Sequence, residues 1–161
     1  MVLAEGVEQQ ELLLASDGPP GTLKLVSYGQ RQSTRAVLCC PGCYDCLEGP
    51  SCLFNRLASE LPQRGYTVLC LAYRVSDDEE EAAEDVMTCI DWAEGRFQEL
   101  TLLGWSMGSA AVVEAAYLRR HVPMVSGLIT LAAQTSGTKN AEHLQEREDA
   151  TNGRLRFIYE V

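Results

Sequence analysis

The chain has 161 residues, of which 46% are hydrophobic and 22% charged, a composition that allows one globular domain and excludes disordered, collagen-like and coiled-coil classes. Thirteen Lys and Arg against 23 Asp and Glu give a net charge of −10, which repels phosphate backbones and anionic membrane surfaces and argues against nucleic-acid and membrane partners. The seven cysteines are odd in number and fall partly in apolar segments, so they favour a reducing compartment and predict a cytoplasmic protein.

The first predicted element is a β-hairpin within residues 11–29. Two short apolar runs, residues 11–15 and 22–28, flank a segment dense in turn-forming residues. Residues 36–40 and 66–73 are nearly continuous apolar runs, typical of strands buried on both faces, and residues 51–64 between them have a helical pattern. The hydrophobic period therefore changes after the hairpin from that of exposed strands to that of buried ones.

The second half of the chain continues this alternation. Residues 77–97 open with an acidic run suited to a solvated first helical turn and then repeat apolar residues at helical spacing. Further elements follow: a strand at 100–103, a helix at 109–120, a strand at 126–132, a polar loop at 136–153 and a last strand at 155–161. Such spacing predicts an α/β fold with a mostly parallel, doubly wound sheet, in a single domain spanning residues 1–161 with its core at 36–135.

The motif with the clearest chemistry is GWSMG at residues 104–108. It matches G-x-S-x-G and lies between a predicted strand and a predicted helix, where a tight turn lifts a nucleophilic serine above the sheet. Ser106 is the candidate nucleophile, and the backbone N–H of Met107 is a candidate oxyanion donor. The N–H of Cys43, in the turn after strand 36–40, is the second candidate donor. A serine that merely caps the following helix is the alternative interpretation.

From about residue 36 to 135 the chain resembles a small serine hydrolase of the α/β-hydrolase superfamily, of the esterase or serine-aminopeptidase type. The matching segments are VLCCPG, RGYTVLCLAYR, GWSMGS and VSGLITLAAQT. The resemblance implies hydrolysis of a small-molecule acyl substrate, an ester or thioester, through Ser106 and without a cofactor or metal. The chain departs from the family in having Pro41-Gly42 where His-Gly is usual, and in lacking a glycine-rich turn after Arg74.

A second departure concerns the partners of Ser106, which in this family follow it in the order acid, then histidine. The resemblance places the acid just after a strand equivalent to 155–159 and the histidine after one more strand, so we expect a sheet that is incomplete at its C-terminal side, without either residue. Of the two histidines, His121 is expected at the far end of the helix after Ser106, about 20 Å away, as a helix-dipole partner. His143 lies in the polar loop, where a substitute triad is conceivable but a solvated position is favoured.

Two further functions remain open. The chain is either a hydrolase or a catalytically impaired hydrolase-like domain that binds or scaffolds. A cluster of cysteines also allows a C-x-x-C thiol-redox or metal-binding protein, although the sequence offers no second ligand pair for a closed zinc site. The cluster consists of Cys39, Cys40, Cys43, Cys46 and Cys52. The identity of the substrate and the oligomeric state do not follow from the sequence.

Overall fold

A computed structural model of the chain describes residues 3, 5–15, 22–30, 32–43, 47–74 and 78–132. Two strands come first, and from the third strand onward strands and helices alternate. They are β1 (Glu8–Leu14), β2 (Leu23–Gly29), β3 (Arg35–Cys40), α1 (Leu53–Glu60), β4 (Tyr66–Ala72), α2 (Glu79–Ala93), β5 (Glu99–Trp105), α3 (Met107–Leu118) and β6 (Val125–Leu131). The predicted polar loop 136–153 and last strand 155–161, with His143, lie outside the described residues, as does Cys46.

The six described strands form one sheet in the order β1-β2-β4-β3-β5-β6. β1 pairs antiparallel with β2, and β2 pairs antiparallel with β4. β4, β3, β5 and β6 are parallel, as expected for strands joined by helical crossovers. The predicted α/β architecture, with an N-terminal hairpin on a mostly parallel sheet, is confirmed.

The sheet is covered on both faces, which explains the continuous apolar runs of its central strands. Successive side chains of β3 point to opposite faces, so that Cys40 packs among the residues under α2 and α3 while Cys39 packs with α1 on the other face. Val112 on α3 and Phe54 on α1 are fully buried, one in each layer. Helices on both faces confirm the doubly wound arrangement.

The ends of several elements differ from the prediction. β1 begins at Glu8 rather than at residue 11, because its first residues pair through the backbone while their side chains stay exposed. The helical pattern at 51–64 is an α-helix only over α1, with single 3₁₀ turns at Pro50–Cys52 and Leu61–Arg64. α2 begins after Asp78, whose carboxylate accepts hydrogen bonds from two backbone N–H groups of the first turn, at 2.9 and 3.0 Å. No helix in the described ranges is long and apolar enough to cross a membrane.

Candidate active site

Ser106 is the single residue between the end of β5 and the start of α3. Its backbone has φ 53° and ψ −119°, a conformation that residues with a side chain adopt only at a cost of about 1–3 kcal/mol. The hydroxyl accepts no hydrogen bond from the first turn of α3, all of which is described. The alternative in which Ser106 is merely a helix cap is therefore wrong.

Hydrogen bonds hold this turn against the end of β6. The N–H of Ser106 donates to the carbonyl oxygen of Leu131 at 2.9 Å, and the N–H of Ser109 donates to the carbonyl oxygen of Ser106 at 2.9 Å. The buried Ser109 hydroxyl lies 3.0 Å from the carbonyl oxygens of both Gly104 and Leu131. The strained conformation of Ser106 is thus fixed by surrounding backbone.

Two glycines let the backbone segments around Ser106 approach one another. A Cβ atom on Gly104 would lie 2.3 Å from the carbonyl oxygen of Gly108, and a Cβ atom on Gly108 would lie 2.3 Å from the carbonyl oxygen of Cys40. Because these neighbours are backbone atoms, they cannot move aside by a change of rotamer. The glycines of the GWSMG motif are required by this close packing of β5, α3 and the end of β3.

The turn after β3 forms a second wall beside Ser106. A Cβ atom on Gly42 would lie 3.2 Å from the Cβ of Ser106 and 3.4 Å from the Trp105 ring. The thiol of Cys43 donates to the sulfur of Met107, with the two sulfur atoms 3.5 Å apart. Ser106 and Cys43 are half-buried and Met107 is fully buried. The structure therefore brings together all three predicted site residues, while their roles in catalysis stay predictions.

The remaining cysteines of the described part of the chain are free thiols in contrasting surroundings. Burial raises the pKa of the Cys40 thiol, followed by the nearby Cys89, Cys70 and Asp85. This is the opposite of the activation that a redox C-x-x-C requires. Cys40 also lies at the end of β3 rather than at the start of α1, so no helix N-terminus favours its thiolate. Within the described ranges no three His, Cys, Asp or Glu side chains are grouped so as to hold a metal ion.

His121 lies outside the site. It is exposed and comes after the end of α3, whose 12 residues separate it from Ser106 by about 18 Å at the usual helical rise. The prediction that His121 lies at the far end of this helix is confirmed. A histidine partner for Ser106 is not found among the described residues.

The sequence analysis did not predict a buried ion pair at the end of β4, the strand next to β3. Arg74 follows β4 directly, and Asp85 lies on α2; both side chains are 1% exposed. Asp85 stands out in the sequence as a charged residue on the apolar stripe of α2 that includes Ala82, Val86 and Cys89. A charge on such a stripe indicates a buried partner.

Comparison with known proteins identifies the fold. No protein-family model matches the sequence, and no curated protein is significantly similar to it. Several solved structures resemble it. Est1E from Butyrivibrio proteoclasticus matches with a TM-score of 0.63 and 16% identity, over 76% of this chain and 51% of Est1E. A dienelactone hydrolase from Anabaena variabilis matches with a TM-score of 0.63 and 14% identity, over 95% of this chain and 83% of that one, and carboxyl esterase 2 from the fungus Tuber melanosporum with a TM-score of 0.66 and 13% identity, over 91% of this chain and 56% of that one. The protein therefore has the α/β-hydrolase fold. It spans about half the length of Est1E and of the fungal esterase.

Proposed function

We propose that the protein is a serine hydrolase that acts on small-molecule acyl compounds, esters or thioesters, with Ser106 as its nucleophile. The observation that carries the proposal is the strained Ser106 backbone between β5 and α3, because strain of this kind is concentrated at functional sites. The similar structures, which include an esterase and a dienelactone hydrolase, support the same class of reaction.

In this proposal the Ser106 hydroxyl oxygen attacks the acyl carbonyl carbon while its proton passes to a base. Negative charge then develops on the carbonyl oxygen. The first N–H groups of α3 have no partner within the helix, so the Met107 N–H and the positive end of the helix dipole can stabilise that charge. The Cys43 N–H is the second proposed donor. Collapse of the intermediate expels the alcohol or thiol, and water then hydrolyses the acyl-serine ester.

No acid or base is assigned in this scheme. His121 is too far from Ser106, and His143 lies outside the described residues. The alternative from the sequence, a hydrolase-like domain that binds without turnover, uses the same surface but requires no base. The two functions differ in whether Ser106 forms a covalent bond.

A fluorophosphonate probe tests the proposal directly, since it phosphonylates activated serines. We expect one probe per chain, located on Ser106 by tandem mass spectrometry, and no labelling of Ser106→Ala. The matched control is Ser59→Ala, which removes another half-buried serine hydroxyl, on α1, and should label at the normal rate. If the parent and every variant fold but none is labelled, the proposed hydrolase function is contradicted and the alternative of a domain that binds without turnover is favoured.

The second oxyanion donor is tested by a pair of variants at residue 43. Cys43→Ala removes the thiol and keeps the N–H, whereas Cys43→Pro removes the N–H. Loss of one oxyanion donor costs about 10²–10³-fold in rate, so we expect the proline variant to be phosphonylated at least about 100-fold more slowly than the alanine variant. Equal rates in two folded variants would remove Cys43 from the site.

We also propose a cytoplasmic location. The free thiols of the six described cysteines support a reducing compartment. The net charge of −10 makes a nucleic acid an unfavourable partner. Fractionation of cells that express the tagged protein tests the location, and recovery from an oxidising compartment would contradict it.

A further inference from the structure

The buried ion pair between Arg74 and Asp85 fixes a particular piece of backbone at the end of β4. One carboxylate oxygen of Asp85, on α2, accepts a hydrogen bond from the backbone N–H of Arg74 at 2.8 Å. The other carboxylate oxygen binds the guanidinium group of Arg74. One carboxylate thus holds both the main chain and the side chain of the residue that follows β4. The position of the β4 end relative to α2 is fixed in two ways.

A second ion pair on the same helix shows that this arrangement is special. Asp91 of α2 binds Arg119 at the end of α3 with both carboxylate oxygens, at 2.7 and 2.8 Å. In this pair the Asp91 side chain is 50% exposed and the Arg119 side chain 28% exposed. Both hydrogen bonds join side chain to side chain. An exposed pair of this type is enough to link two helices. Burying both charges instead costs desolvation energy, and in some proteins a buried polar group of this kind specifies one conformation.

The end of β4 is connected to the end of β3 by packing. Cys40 and Tyr73 lie in the same buried cluster as the apolar residues of α2 that flank Asp85, and β3 pairs in parallel with β4 as far as Cys39 and Cys70. Cys40 ends β3, and its carbonyl oxygen packs against Gly108 of the Ser106 turn. Two residues later, Gly42 packs against the side chain of Ser106. The ion pair after β4 and the candidate oxyanion turn after β3 therefore follow the carboxyl ends of two adjacent parallel strands.

We propose that Arg74 and Asp85 are positioning residues that hold the end of β3, and with it the turn at residues 41–43, in place beside Ser106. This inference rests on the function proposed above only in taking that turn as part of the active site. The negative charge and two-fold hydrogen bonding of Asp85 fix the β4 end, and the pairing of β4 with β3 and their shared buried cluster transmit that position to the end of β3.

The test compares Asp85→Asn with Asp91→Asn in the 161-residue chain. Each substitution removes one carboxylate charge from α2 and leaves one arginine without its ionic partner. Two rates are measured well below the unfolding temperature of every variant, which is checked first by circular dichroism. One is alkylation of Cys43 by iodoacetamide, followed by tandem mass spectrometry; the other is phosphonylation of Ser106, resolved into a binding constant and a maximal rate.

We expect Asp85→Asn to alkylate Cys43 at least fivefold faster and to phosphonylate Ser106 with a maximal rate at least tenfold lower, at a similar binding constant. Asp91→Asn should change neither rate. Arg74→Lys keeps the positive charge but loses the forked geometry of the guanidinium, so both of its rates should lie between those of the parent and of Asp85→Asn. If Asp85→Asn loses only thermal stability and its Cys43 alkylation rate equals that of the parent, the positioning role is wrong.

The two proposals fail in different ways. Absence of phosphonylation in every variant would reject the hydrolase, yet faster Cys43 alkylation in Asp85→Asn would still show that the ion pair positions the turn. Should Asp85→Asn not fold, Arg74→Lys carries the test. That variant keeps the positive charge and removes the forked side-chain contact with Asp85, and it should raise the Cys43 alkylation rate at least twofold; an unchanged rate there contradicts the inference equally.

Discussion

Replacing Gly108 by alanine should invert the usual effect of that substitution in a helix. In an open helix the change stabilises by about 1 kcal/mol. Here the new Cβ would lie 2.3 and 2.4 Å from the carbonyl oxygens of Cys40 and Pro41, roughly 1 Å closer than a tolerable carbon–oxygen contact. Cys40 pairs with Gly104 in the sheet, so relief requires a shift of α3 away from β3.

The expected cost follows from these contacts. Overpacking costs about 1–3 kcal/mol, and sometimes more. Because both close contacts are with backbone atoms, we expect the upper part of that range, about 2–3 kcal/mol, and a net loss of about 1–2 kcal/mol after the helix gain. For a chain of this size that corresponds to a fall in Tm of roughly 2–8 °C. Urea unfolding gives the free energy, and phosphonylation of Ser106 should slow because the same shift moves the turn at residue 42.

Gly95→Ala is the control for this experiment. Gly95 has φ +77° and no other atom within 4 Å of a Cβ position. Its substitution should cost about 1–2 kcal/mol through backbone strain alone and leave phosphonylation unchanged. A Gly108→Ala protein as stable as the parent, or more stable, would refute the close packing of α3 on the end of β3.

Three other predictions concern stability. Ser106→Gly should raise the free energy of unfolding by about 1 kcal/mol in urea, because glycine adopts positive φ without strain; a loss of stability would contradict the strained conformation. Burial raises the pKa of the Cys40 and Cys89 thiols in the folded protein. Burying these thiols in their neutral form therefore contributes fully to stability below about pH 8.5, the ordinary pKa of a thiol. That contribution is lost as the pH rises above this value toward the higher pKa of the folded state. Urea unfolding from pH 7 to 9.5 should show a fall in the free energy of unfolding, and this fall should be less steep with pH in Cys89→Ala. An equal dependence on pH in the two proteins would contradict the raised pKa of Cys89. Asp91→Asn should lower stability by at most about 1 kcal/mol at low salt, and a difference that persists at 1 M NaCl would exclude an exposed ion pair as its cause.

The sequence predicts the central strands closely because burial leaves a direct signal. β3 and β4 are covered on both faces, so almost every residue in them is apolar and their limits are visible in the composition. The start of β1 carries no such signal, since Glu8 to Glu11 pair through main-chain groups that are the same for every residue type. The ends of α1 are similarly hidden, because Pro62 and the left-handed Gly65 tighten the last turn into a 3₁₀ helix without changing the hydrophobic period.

The position of Ser106 is predictable for a different reason. Glycines at both ends of a strand-to-helix junction indicate a backbone approach that only the absence of Cβ permits. The neighbours of that turn are not predictable from local pattern. The order of the strands and the packing of Gly42 on Ser106 depend on contacts across 64 residues of chain, the separation of Cys43 and Met107. The pairing of the β4 end with the end of β3 is equally non-local.

The hydrogen bond from Ser106 to Leu131 has a consequence for a chain during synthesis. The five residues of the GWSMG motif leave the ribosome before β6. Until Leu131 follows them, the Ser106 N–H lacks the carbonyl oxygen to which it donates, and the Ser109 hydroxyl lacks one of its two carbonyl acceptors. A fragment that stops at residue 124 would contain the complete motif without the strand that holds it. The conformation of the Ser106 turn therefore depends on late β5–β6 pairing as well as on its own five residues, and a nascent chain carries the motif before it has the geometry.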